Sequence, residues 1–179
     1  SGNFSYGTGI TLSPTPYPAD ASADSPSISF SNWGDPFNSD EYIEFQVDTT
    51  GRENIVIGFK YRATSSGPNT LELHYSIDGN TFAQFGVPTG LTRDSNFYQL
   101  SFDLSSISAL NDNPLSKFRV YNYGATSGSG TFRIDNLTVS GDCPYTPLML
   151  LINEVAWAGT SANESHEWIE LYNPGSFPV

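Results

Sequence analysis

Wherever this chain is not turn-like, its apolar and polar residues alternate with a period of two. A helix cannot use that pattern, because its faces repeat every 3.6 residues, whereas a strand sends successive side chains to opposite faces. Ile43, Phe45 and Val47 alternate with Tyr42, Glu44 and Gln46. Ile55, Ile57, Phe59 and Tyr61 form a second apolar row, and Leu71, Leu73, Tyr75 and Ile77 a third. Tyr98, Leu100, Phe102 and Leu104 follow, then Phe118 and Val120. The segments between them are turn-formers: Thr49-Thr50-Gly51, Ser65-Ser66-Gly67-Pro68 and Ser127-Gly128-Ser129-Gly130. Asp78-Gly79-Asn80 carries the signature of a tight hairpin. No stretch reads as a long helix; Leu104 to Leu115 has room for one short turn.

About eight or nine strands are expected between Phe4 and Val139. Strands with one apolar face each bury it most economically as two packed sheets. The expected fold is therefore all-β, a jelly-roll-like β-sandwich over residues 1–141. A proline-rich linker, 142–147, follows, and then a further strand-like region, 148–179. One local irregularity stands out in the last strand of the sandwich. From Thr131 to Val139 the apolar residues fall first on even positions and then on odd ones. A strand can do this only through a bulge or a change of buried face at Asp135-Asn136. Bulges aim polar side chains, so Asp135 is a candidate ligand; local hydrogen bonding at the bulge is the other reading.

Charge excludes some functions. Lys and Arg number seven against nineteen acids, a net charge of −12. Neutralising a phosphate backbone requires Lys and Arg, so nucleic acid is not an expected partner. An anionic membrane surface is disfavoured on the same ground. Cys143 is the single cysteine, so no internal disulfide is available.

Catalytic constellations are not found. His74 and His166 fit no triad or metal-ligand spacing, and His166-Glu167 lacks the second histidine of a zinc-protease helix. No Gly-x-Ser-x-Gly elbow occurs, and nothing in the spacing fixes Glu44 and Glu72 at the separation that glycoside hydrolysis demands. A binding surface is better supported. Opposite the core rows lie Tyr42, Glu44, Gln46, Lys60, Arg62, Glu72, His74, Arg119, Tyr121 and Tyr123. Aromatic rings stack on the apolar faces of sugars while acids and cations take the hydroxyls. Arg119, Tyr121 and Tyr123 share one side of a strand, and Tyr42, Glu44 and His74 complete the candidate platform. The competing reading is that these residues merely stabilise the sheet through cross-strand pairs. Trp33, in a turn-rich stretch, reads as a core plug.

Two resemblances add to this. GNFSYGTG, the Trp33 region, NIVIGFKYRATSSGPNTLELHYSIDGNTF and FRIDNLTVSG resemble secreted bacterial β-sandwich modules of the carbohydrate-binding and concanavalin-like kind. The pattern INEV-x-W…EWIELYN resembles the opening of the lamin tail domain, an immunoglobulin-like β-sandwich of roughly seven strands and about 100 residues. About two of those strands would be present, an incomplete remnant. Such modules occur together in extracellular nuclease-type multidomain proteins. The first resemblance implies a structural calcium held by Asp135 with Asn3, Asp35, Asp40 or Glu41 as partners. It implies a non-catalytic accessory module, outside the cell or at its surface, whose partners are extracellular polysaccharide or cell-surface material and neighbouring domains of its own chain. A structural spacer or adhesion domain, with any nuclease or hydrolase chemistry elsewhere, is the alternative.

Overall fold

The computed structural model describes residues 3–13, 27–144, 151–156 and 168–172. The chain divides into two compact units, Ser1–Asp142 and Cys143–Val179. Among the described residues of the first unit, ten strands form two five-stranded sheets. They are β1 (Asn3–Tyr6), β2 (Thr11–Leu12), β3 (Ile28–Ser31), β4 (Tyr42–Gln46), β5 (Glu53–Ala63), β6 (Thr70–Ser76), β7 (Ala83–Gly90), β8 (Tyr98–Asp103), β9 (Lys117–Tyr123) and β10 (Phe132–Asp142). One sheet has the order β1-β4-β9-β6-β7 and the other β2-β3-β10-β5-β8. All pairings between these strands are antiparallel. The fold is the expected all-β sandwich. The count is slightly above the one expected; β2, of two residues, is too short to display an alternation.

The alternating rows become the core, except that Ile77, just past the end of β6, is exposed. Ile43 and Phe45 from β4, Leu71 and Leu73 from β6, and Phe118 and Val120 from β9 meet Ile55, Ile57, Phe59 and Tyr61 from β5 and Phe132 and Ile134 from β10. Trp33 is 2% exposed and stands edge-on to Phe30 and Phe132. Its indole N–H donates to the Phe30 carbonyl at 3.2 Å, so the plug is apolar-packed and satisfied at once. The short turn foreseen after Leu104 is a single 3-10 turn, Ser108–Leu110, which buries Leu110.

The bulge lies where the rows change parity. The pairing of β10 with β5 shifts register between Asp135 and Thr138, and Asn136 takes a left-handed φ of 51°. Asp135 turns its carboxylate back onto the Asn136 N–H at 2.8 Å, while Thr138 Oγ1 donates to the Gly58 carbonyl at 3.1 Å. The hairpin at Asp78-Gly79-Asn80 is also in place, joining β6 to β7, with Gly79 at φ 76°. β10 carries on to Asp142, so the first residue assigned to the linker belongs to the strand.

In the second unit, β11 (Leu151–Ala156) and β12 (Trp168–Tyr172) form an antiparallel pair. Ile152 faces Leu171 and Val155 faces Ile169 across the ladder, and all four are exposed. His166 falls outside the described residues. Among the described residues no helix is long and apolar enough to cross a membrane.

Candidate functional site

Parity sends one half of each strand's side chains inward and the other half out. On the β1-β4-β9-β6-β7 sheet the outward half converges. Tyr42 pairs with Tyr121 and Glu44 with Arg119 across β4 and β9. Glu72 pairs with Tyr121, and His74 with Arg119, across β6 and β9. The six platform residues expected from the sequence, Tyr42, Glu44, His74, Arg119, Tyr121 and Tyr123, thus occupy one face. Lys60 and Arg62 do not join them, because β5 belongs to the opposite sheet.

Arg119 is the centre of this face. Its Nε donates to Glu44 Oε2 at 2.7 Å and an NH group donates to the Tyr121 hydroxyl at 3.2 Å. Its guanidinium lies 3.9 Å from the ring centres of both Tyr42 and Phe82, a two-sided cation–π contact. Burial works against its charge, but the bonds to Tyr121 and Glu44 outweigh burial and raise its pKa. Lys117 Nζ lies 3.9 Å from the other Glu44 oxygen. On the far side of β9, Glu72 accepts from Tyr123 at 3.0 Å and meets His74 Nε2 at 3.0 Å. Burial first, and then the bond to Glu72, raise the Tyr123 pKa. Glu44 and Glu72 are separated by β9 and each is held by its own neighbours. The arrangement suits hydrogen bonding and stacking better than paired proton transfer.

One expectation needs correcting in detail. Tyr121 is 4% exposed, because Phe37, Tyr42 and His74 lie against it with centroid separations of 5.2, 5.6 and 4.6 Å. It supports the platform and does not offer its ring. Phe37 is 41% exposed and lies against Tyr123 and His74, while Tyr42, Phe82 and Tyr123 are half-buried. Phe37 sits in the 32–41 connection between β3 and β4. Buried Glu41 pins this loop by accepting from the Gly34 N–H at 2.6 Å and from the Asn38 amide at 3.0 Å. Asn32 fastens its start to the Gly9 carbonyl at 2.8 Å. Phe37 and Phe82 escaped the sequence reading because both lie in connections, where no period assigns a side. Only their closeness to turns in otherwise polar stretches could have flagged them.

The candidate calcium ligands do not assemble. Asp135 lies on β10 and Asn3 on β1, in different sheets. Both Glu41 oxygens are engaged by the loop, and Asp35 and Asp40 are exposed on it. Among the described residues no three His, Cys, Asp or Glu side chains are placed to share an ion.

The chain matches no family model and no curated protein. Solved structures do share its fold. The CBM22-1 xylan-binding domain of Paenibacillus barcinonensis Xyn10C aligns with a TM-score of 0.52 and 12% identity, over 76% of this chain and 83% of that one. The CBM22-1–GH10 modules of Clostridium thermocellum xylanase 10B, complexed with xylohexaose, align with a TM-score of 0.55 and 10% identity, over 82% of this chain and 27% of that one. Arabinose-bound MgGH51 α-L-arabinofuranosidase aligns with a TM-score of 0.52 and 14% identity, over 76% and 22%. At these identities the likeness is one of fold.

Proposed function

We propose that the first unit is a non-catalytic accessory module that binds extracellular polysaccharide or cell-surface carbohydrate through the outer face of its β4–β9–β6 strands. The observation that carries this reading is the meeting of Phe37, Tyr42, Phe82 and Tyr123 with Glu44, Glu72, His74 and Arg119 on one face. Solvent-reaching rings beside hydrogen-bonding groups suit sugar recognition. The fold shared with CBM22 modules supports it. The parent protein is proposed to act outside the cell or at its surface. The second unit is read as the opening of a lamin tail domain, and any nuclease or hydrolase activity is placed in other domains.

Affinity electrophoresis of the chain through gels containing soluble polysaccharides tests this reading. Phe37→Ala should weaken binding about tenfold, about 1.4 kcal/mol, with an unchanged melting midpoint. Retardation by no polysaccharide would remove the reading. A spacer or adhesion role is the second reading, favoured by one observation: Arg119, Glu44, Glu72 and Tyr123 already satisfy one another.

A further inference from the structure

Four ladders bring one outward side chain from every strand of the sheet into a single row. Ser5 faces Glu44, Glu44 faces Arg119, Arg119 faces His74, and His74 faces Gln84. The row runs perpendicular to the strands from one edge of the sheet to the other. Strand spacing makes it roughly 19 Å long, the span of several linked sugar units rather than one. Both of its ends are open, since Ser5 and Gln84 are exposed on the edge strands β1 and β7. All five residues can exchange hydrogen bonds with hydroxyls.

Charge on this face is internally compensated. Lys117 and Arg119 balance Glu44 and Glu72 when His74 is neutral, and Arg119 is bound to Glu44 and enclosed by Tyr42 and Phe82. A uronate or sulfate would have to compete with Glu44 for Arg119 and Lys117, which already balance it. It would also approach a chain of net charge −12. A cationic sugar meets acids already engaged by Arg119, Lys117, Tyr123 and His74.

We infer that this row takes an internal stretch of an uncharged, linear glycan laid across the strands, with Ser5 and Gln84 as its outer contacts. The inference rests on the carbohydrate reading above and adds the ligand's charge, its shape and the direction in which it lies.

Calorimetric titration of the full chain tests it. The probes are disaccharides and hexasaccharides of β-1,4-linked xylose, glucose, mannose and galactose, with oligogalacturonate and chitosan hexamers as the charged counterparts. At least one neutral hexasaccharide should bind tenfold or more tightly than its disaccharide, with an affinity unchanged between low and high salt. Gln84→Ala, on an exposed edge position, should weaken that hexasaccharide several-fold and leave the disaccharide as it was. Equal affinity for the two lengths would overturn the inference in favour of a chain-end site. Preferred binding of a charged glycan, weakening with salt, would overturn it on charge. Either result leaves the carbohydrate reading standing, whereas no binding to any probe removes both.

Discussion

Asn122 follows Phe118 and Val120 on the inward side of β9, opposite Leu71, and is 1% exposed. Neither its amide nitrogen nor its amide oxygen has a hydrogen-bond partner. A buried polar group left unpaired costs about 1–3 kcal/mol. Asn122→Leu, similar in shape and without the orphaned atoms, should stabilise the fold by about 1–2 kcal/mol in urea titrations; a loss of stability would show that the amide is serving a contact. The sequence row Phe118, Val120 already assigned Asn122 its direction by parity. Parity failed for Tyr121 in a different way. It fixed the correct face but not the height of the ring above it, which is set by Phe37 arriving from a loop. Directions are local and written every second residue, whereas cover depends on connections that carry no period.

At the scale of elements, the bulge in β10 was legible because a change of parity has few physical solutions. What the sequence left open was the purpose of Asp135. Its carboxylate accepts the Asn136 N–H in the bulge, the contact that a local cap would make. Asp135→Ala should cost about 1 kcal/mol, and the shift in melting midpoint should be the same in millimolar calcium and in chelator. A larger loss in calcium would restore the ion. Asn136 holds a positive φ, which a β-branched residue resists. Asn136→Val should therefore destabilise by about 1–3 kcal/mol and Asn136→Gly by much less. Gly7 is a comparable constraint near the proposed binding face. Its N–H donates to the Tyr42 carbonyl at 2.9 Å, and a β-carbon there would collide with the Asp40 carbonyl and the Tyr42 ring. Gly7→Ala should lower both the melting midpoint and glycan affinity, because Tyr42 cannot keep its place over Arg119.

For the whole molecule, pH acts on turns. Asp78 is held well below the ordinary 3.8 by the Thr81 and Asn80 N–H groups and the Ser76 hydroxyl. Asp94 is lowered by the Tyr98 hydroxyl, Asp103 by the Ser105 N–H and Asp48 by Thr50. Depressed carboxylates contribute stability that is present above their unfolded value and lost as pH falls through their folded values. Tyr98 is raised above 10.0 by its bond to Asp94, and Tyr123 by burial and Glu72. Raised phenols contribute stability present below their unfolded value and lost as pH climbs through the folded one. The melting midpoint should therefore be level between about pH 5 and 9, fall below about 4 and fall again above about 10. Tyr98→Phe should flatten both limbs, since one hydrogen bond feeds each. Asp78→Asn should flatten only the acid limb.

The outward row and the inward core are carried by the same strands, one residue apart. Arg119 and Tyr121 alternate with Phe118 and Val120 on β9, as Glu44 does with Ile43 and Phe45 on β4. Deleting a single residue within either strand would exchange the two sets, turning phenylalanines out and an arginine in. Such a chain can thus change this outer face only by substitution, position by position. Its loops, free of that alternation, remain open to insertion and are where related chains should differ most in length.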